Sequence, residues 1–243
     1  MLFLLAAGCD LPGRPKETDA YRPPDQEMSF AALYQQNCAA CHGRNGELGP
    51  APPLNDALFL QIVPGADLRN VITKGREGTL MPAFAKDNGG QLTGEQVNVL
   101  ADGIKSAWGE HKSRPGDLPA YLIPQVKADA SDSKALARGT GAFARACASC
   151  HGPDGGGGTY GGKENGEAVG SINDPAFLSL ISDQALRRLI ICGRPDLGMP
   201  SYAEKTGRSE DFKPLTPQEI KELGALLASW RQGQSNSREG VRR

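Results

Sequence analysis

Apolar residues recur at helical spacing in two segments of this chain, and each segment begins with a capping sequence. Thr93 is followed three residues later by Gln96, and Thr216 is followed by Glu219 with Pro217 in the first turn, a pattern typical of helix starts. Four apolar residues then share one face of each segment: Val97, Leu100, Ile104 and Trp108 in the first, and Ile220, Leu223, Leu227 and Trp230 in the second. The pattern predicts two amphipathic helices that pack against a core.

A shorter helix is predicted before each of these. Residues 66–74 and 183–192 have helical spacing, and each run stops at a glycine, Gly75 or Gly193, the residue that most often follows a helix C-terminus.

The chain is an internal repeat. Cys38 and Cys147 are 109 positions apart, as are Tyr34 and Phe143, whereas Leu54-Asn55-Asp56 matches Ile172-Asn173-Asp174 at an offset of 118. Gly75 and Gly193 keep the offset of 118, as do Met81 and Met199. One insertion of nine residues in the glycine-rich stretch 155–170 explains the change, because a surface loop accepts extra length at little entropic cost.

Each repeat contains a Cys-x-x-Cys-His motif, Cys38 to His42 and Cys147 to His151, followed downstream by Met81-Pro82 or Met199-Pro200. Cys-x-x-Cys alone also suits half of a zinc site or a redox dithiol. The remaining Cys and His residues, Cys9, His111 and Cys192, form no second pair, and a redox dithiol needs neither the His nor the Met. The motif therefore favours covalent haem attachment.

These residues resemble the class I c-type cytochromes, in which an N-terminal helix runs into Cys-x-x-Cys-His and is crossed by a C-terminal helix. The resemblance covers Phe30 to Trp108 and Lys134 to Trp230. It implies an all-α fold of two tandem cytochrome c-like domains, each made of three short helices around a covalently bound haem.

Carried over to this chain, the resemblance implies two c-type haems. Thioether bonds are expected at Cys38, Cys41, Cys147 and Cys150. Axial iron ligands are expected to be His42 with Met81, and His151 with Met199.

The resemblance also implies a backbone carbonyl that accepts the other ring proton of the axial histidine, commonly within a Gly-Pro sequence. Gly49-Pro50 fits in the first repeat, whereas the second offers only residues 166–172, without proline. We therefore expect different surroundings at the second haem, and such surroundings tune ligand orientation and reduction potential.

Composition agrees with a haem-centred core. Only 6% of residues are aromatic and 39% are hydrophobic, which is little for two domains of this size. The net charge of −1 gives no indication of nucleic-acid binding.

The N-terminus, Met1 to Cys9, is a short apolar run ending in small residues and a cysteine, and resembles a bacterial lipobox. The resemblance implies acyl chains on Cys9, which would hold the protein on the periplasmic side of the cytoplasmic membrane. No Lys or Arg precedes the run, so an ordinary signal peptide or a plain apolar terminus stays open.

The predicted organisation has six parts. They are a lipobox remnant (1–9), a Pro-rich tether (10–27), a first domain (28–111), a linker (112–132), a second domain (133–231) and a disordered tail (232–243).

Two residues stand outside the motifs. Cys192 aligns with Lys74 and is interpreted as a small buried residue, the alternative being a thiolate ligand that replaces Met199. His111 is interpreted as a surface residue.

The motifs leave two classes of function. A chain with His and Met at both irons is an electron carrier, passing electrons from a redox protein donor to an acceptor such as a membrane respiratory complex. A dihaem enzyme, of the cytochrome c peroxidase or thiosulfate-oxidising type, needs an exchangeable or unusual iron ligand. The matched methionines favour the carrier.

Overall fold

The computed structural model describes residues 21, 23–109, 118–121 and 131–240, with side chains described through 231. It consists of two similar helical domains. The helices of the first are α1 (Phe30–Asn37), α2 (Ala39–His42), α3 (Ala57–Ile62), α4 (Gly65–Lys74) and α5 (Gly94–Trp108). Those of the second are α6 (Ser133–Ala146), α7 (Ala148–His151), α8 (Pro175–Leu180), α9 (Asp183–Cys192) and α10 (Pro217–Gly240). The prediction of a mostly helical chain is confirmed.

Both predicted capping boxes are present. Thr93 Oγ1 accepts the Gln96 N–H at 3.2 Å while Gln96 Oε1 accepts the Thr93 N–H at 2.9 Å. Thr216 and Glu219 make the same pair of bonds at the start of α10, at 3.2 and 2.8 Å. Each box satisfies N–H groups that the first turn of a helix leaves without partners.

The apolar faces of α5 and α10 are buried as predicted. The three apolar residues before each tryptophan are buried, and the tryptophans are partly buried against the same core. Helix α1 packs on α5, and α6 packs on α10. Ring contacts mark both crossings, with centroids 5.0 Å apart for Tyr34 and Trp108 and 5.3 Å apart for Phe143 and Trp230.

The expectation of three helices in each repeat is wrong, because each domain has two more. The Cys-x-x-Cys-His segment itself forms a helical turn, α2 or α7. Helices α3 and α8 begin after Asp56 and Asp174, whose carboxylates accept the N–H of Phe59 and Phe177 at 3.0 and 2.9 Å. The repeated Asn-Asp sequence held this capping signal, but six-residue helices show little periodicity.

The inserted residues of the second domain form a small antiparallel hairpin of β1 (Gly158–Thr159) and β2 (Ala168–Val169). Helix α10 extends to Gly240. The prediction of a disordered tail over 232–243 is therefore wrong for residues 232–240. Cys9, the lipobox, His111 and most of the two predicted linkers lie outside the described residues. Within the described part of the chain, no helix is both long enough and apolar enough to cross a bilayer.

The two domains share a buried interface. Helix α3 of the first domain contacts α9 of the second, and Leu118 and Tyr121 of the connecting segment pack against the same core. At the edge of this interface the Leu48 N–H donates to Asp196 Oδ2 at 3.2 Å. Arg194 holds the same carboxylate through two bonds of 2.9 and 2.8 Å.

Candidate haem sites

Each Cys-x-x-Cys-His motif lies on a single helical turn that follows a longer helix. The Cys38 N–H still bonds to the Tyr34 carbonyl of α1 at 2.8 Å, and the Cys38 carbonyl accepts the His42 N–H at 2.9 Å. Cys147 and His151 repeat this pattern in the second domain. Residues three and four positions apart share one side of a helix, so both thiols and the imidazole can face one ligand.

The four motif cysteines are not disulfide-bonded. Burial raises the pKa of Cys38 to about 12, with a further contribution from Cys41, and raises the pKa of Cys147 to about 11. Both thiols are therefore neutral at physiological pH, in surroundings that suit an apolar group.

His42 is fixed by one hydrogen bond to the backbone. Its Nδ1 lies 2.9 Å from the Pro52 carbonyl oxygen. The prediction that this acceptor belongs to Gly49-Pro50 is therefore wrong, because the carbonyl that contacts His42 is that of Pro52. Burial lowers the pKa of His42, the Pro52 carbonyl raises it, and Arg188 lowers it again. A neutral ring that donates from Nδ1 leaves Nε2 available to a metal.

His151 has a different environment. Burial lowers the pKa of His151, and the Gly170 carbonyl raises it. Within the described residues, however, the buried Nδ1 of His151 makes no hydrogen bond of acceptable geometry. Gly170 corresponds to Pro52 at the repeat offset of 118. The acceptor position is thus the same in both domains, but among the described residues only His42 makes a hydrogen bond of acceptable geometry there.

The second site brings its four predicted groups together. Cys147, Cys150, His151 and Met199 line one cavity. Its remaining walls are largely apolar and include Tyr160, Val169, Leu197 and Pro200. Two thiols, an imidazole and a thioether sulfur around an apolar space are the donor set that a c-type haem requires, so these residues fit the group.

The methionine loops are held against the ends of the middle helices. Arg76 N–H bonds to the Met81 carbonyl and Arg194 N–H to the Met199 carbonyl, both at 3.0 Å. Gly75 and Gly193 have φ of 70° and 71°. A Cβ at Gly193 would lie 2.4 Å from the Met199 carbonyl oxygen, so only glycine permits this approach.

The model of the family "Cytochrome C oxidase, cbb3-type, subunit III" matches residues 25–102 and 134–224, which is more than half of the chain. The chain belongs to this family. It is a dihaem c-type cytochrome with one matched segment for each domain.

Named relatives agree with this assignment. The chain is 30% identical over 220 residues to a "Cbb3-type cytochrome c oxidase subunit CcoP" of Rubrivivax gelatinosus, covering 89% of this chain and 58% of the relative. It is 30% identical over 153 residues to a protein of the same name from Azospirillum sp. (strain B510), covering 56% and 45%. The chain thus spans about half the length of these relatives.

A structural comparison finds the "Kuenenia stuttgartiensis reducing HAO-like protein complex Kustc0457/Kustc0458", at a TM-score of 0.47 and 17% identity. That match covers 85% of this chain and 96% of the other.

In this cytochrome Cys192 is not among the residues that line the second cavity. It is 4% exposed in the core, one helical turn after Arg188 on α9, whereas Met199 lines the cavity. The geometry favours the interpretation of Cys192 as a packed core residue.

Sequence reasoning missed Arg208, a wall residue of the second cavity. Its guanidinium donates to the carbonyls of Ala146, Ser201 and Glu204 at 2.6–2.9 Å and lies 4.4 Å from the centroid of the Phe212 ring. Arg208 lies between Met199 and Thr216, a stretch that is five residues longer than the one between Met81 and Thr93. No motif in the sequence marks this arginine.

Proposed function

We propose that this cytochrome carries electrons from a redox protein donor to a cbb3-type terminal oxidase at the periplasmic face of a bacterial membrane. The observation that carries the proposal is the convergence of Cys147, Cys150, His151 and Met199 on one cavity. The corresponding residues recur in the first domain. The names of the relatives support an oxidase as the acceptor.

The proposed residue roles follow the motif. Cys38, Cys41, Cys147 and Cys150 would attach the haems, and the iron would be held by His42 with Met81 in the first domain and by His151 with Met199 in the second. Bound haem supplies reversible one-electron transfer, at a potential that Met/His ligation raises.

The matched methionines also favour a carrier over a dihaem enzyme. Met81 and Met199 lie in equivalent loops, each tied to the residue after a glycine at a helix end. With His and Met at both irons, neither site keeps an open position for peroxide or a sulfur compound. The residues therefore support transfer of electrons without bond chemistry.

Acyl chains on Cys9 are the proposed membrane attachment. An apolar run ending in Ala7-Gly8-Cys9, followed by a Pro-rich segment, would anchor the two haem domains while letting them reach donor and acceptor. Mass spectrometry of the membrane-extracted protein tests this, since an N-terminus other than acylated Cys9 contradicts it.

Mixing the reduced holoprotein with oxygen and an oxidase core that lacks its own dihaem subunit tests the main proposal. We expect both haems to be oxidised at a rate that depends on the oxidase concentration. The Cys192→Ser variant should match the unmodified protein, because Cys192 lies outside the cavity. Multiple-turnover consumption of peroxide or thiosulfate by the cytochrome alone would contradict the carrier function.

A further inference from the structure

Arg188 is a buried cation at the interface between the two domains. It belongs to α9 of the second domain and is only 8% exposed. Its partners lie in the first domain, where Nη2 donates to the Pro53 carbonyl and the guanidinium carbon lies 3.5 Å from the centroid of the Phe59 ring. Tyr121 packs edge-on to the same ring, with centroids 6.1 Å apart. A planar guanidinium suits simultaneous stacking and hydrogen bonding.

The loop that Arg188 contacts is the loop that orients His42. Pro52 and Pro53 are adjacent, and their carbonyls point to different partners. The Pro52 carbonyl lies 2.9 Å from His42 Nδ1, and the Pro53 carbonyl accepts from Arg188. The second domain is therefore bonded to the peptide next to the one that positions the proposed axial ligand of the first haem.

Comparison of the two domains provides an internal control. The residues equivalent to Pro52 and Pro53 are Gly170 and Ser171, and both are exposed, whereas Pro53 is buried. Arg188 itself corresponds to Asn70, which is exposed. Where no arginine from the other domain covers the loop, the histidine Nδ1 lacks a hydrogen bond within the described residues. An arginine of the second domain thus contacts the histidine loop of the first domain, whereas Asn70, its counterpart in the first domain, is exposed.

The charge of Arg188 also bears on the first site. Burial lowers its pKa, while Cys192, Asp56 and Tyr121 raise it and Arg76 lowers it. Arginine keeps its proton under these conditions. A fixed positive charge disfavours the more positive, oxidised state of a neighbouring iron.

We propose that Arg188 is a positioning residue through which the docked second domain orients His42 and raises the reduction potential of the first haem. The inference rests on the proposed ligation by His42, and it is independent of the identity of the oxidase. The potential of the first haem is consequently a property of both domains together.

Spectroelectrochemical titration of the full holoprotein tests the proposal. Arg188→Met removes the charge and keeps an apolar stem, Arg188→Lys keeps the charge and loses the planar stack, and Arg187→Met is the matched control. Arg187 also bridges to the connecting segment, donating to the Ala120 carbonyl at 3.2 Å. Each variant is repeated with Met199→His, which lowers the potential of the second haem and leaves the first alone in the high-potential range.

We expect Arg188→Met to lower the midpoint potential of the first haem, changing its reduced-to-oxidised ratio by roughly threefold to tenfold at fixed potential. Arg188→Lys should cause a smaller fall, and Arg187→Met none. If Arg188→Met fails to bind two haems, Arg188→Lys decides the question. An unchanged first potential in the folded variants, or equal shifts at both haems, would overturn the proposal. Failure of the electron-carrier function would appear separately, as oxidase-independent turnover in the unmodified protein.

Discussion

Replacement of Gly193 by alanine should displace Met199 from its position in the second site. Gly193 has φ 71° and ψ −159°, a region that is almost confined to glycine and costs other residues about 1–3 kcal/mol. An added Cβ would lie 2.4 Å from the Met199 carbonyl oxygen, whereas ordinary contact begins at 3.4 Å. One of the two groups must therefore move by about 1 Å.

Because Met199 follows directly in the displaced loop, the bond from its sulfur to the iron should lengthen or break. The absorption band in the red that reports methionine ligation in the oxidised protein should fall to about half its amplitude, since one of two haems loses it. Gly75→Ala should do the same at the first haem. There the added Cβ would lie 2.6 Å from the Met81 carbonyl oxygen.

Gly141→Ala is the matched control, because Gly141 is an exposed residue of α6 whose Cβ would meet nothing within 4 Å. This change should leave the band intact and stabilise the helix by about 0.5–1 kcal/mol. Full band amplitude in a folded Gly193→Ala protein with two haems would refute the reasoning.

Three further predictions concern the stability of the folded chain. The Tyr34 hydroxyl donates to the Gly43 carbonyl at 2.9 Å, so Tyr34→Phe should lower the free energy of unfolding by about 1 kcal/mol. Chemical denaturation measures this change, and an unchanged midpoint would contradict a role for this hydrogen bond. The hydrogen bonds from Arg194, and then the one from Leu48, hold the pKa of Asp196 below its ordinary value of 3.8. The ionised carboxylate therefore contributes fully to the free energy of unfolding above pH 3.8, and this contribution is lost as the pH falls through the lowered pKa. Asp196→Asn should therefore flatten the acid limb of a stability profile, and an identical limb would count against it. The chain without haem should be poorly folded, and full helicity by circular dichroism in the apo form would disprove this.

Short sequence patterns at the ends and along the faces of the helices made much of the fold predictable. Capping boxes, terminal glycines and apolar faces are local signals, because their partners lie within a few positions. They placed α4, α5, α9 and the start of α10 correctly. The same signals failed for α3 and α8, where a single aspartate cap precedes too few residues to show a period.

The candidate site was predictable in its chemistry but only partly in its surroundings. Gly49-Pro50 was the expected partner of His42, and the structure uses Pro52 instead, because the loop returns to the ring slightly later. Arg208 had no motif to mark it.

By itself, the sequence determined that there are two related haem-binding domains, since attachment and ligation depend on residue types at short, repeated spacings. The longer glycine-rich loop and the missing proline already predicted that the second site differs from the first. Only the tertiary structure showed that the second domain contacts the histidine loop of the first. Arg188 reaches Pro53 from 135 positions away, and no local pattern encodes such a contact, because it depends on how α9 of one domain packs on α3 of the other. The physical difference between the two sites therefore lies in long-range burial, which covers one histidine loop and leaves the other exposed.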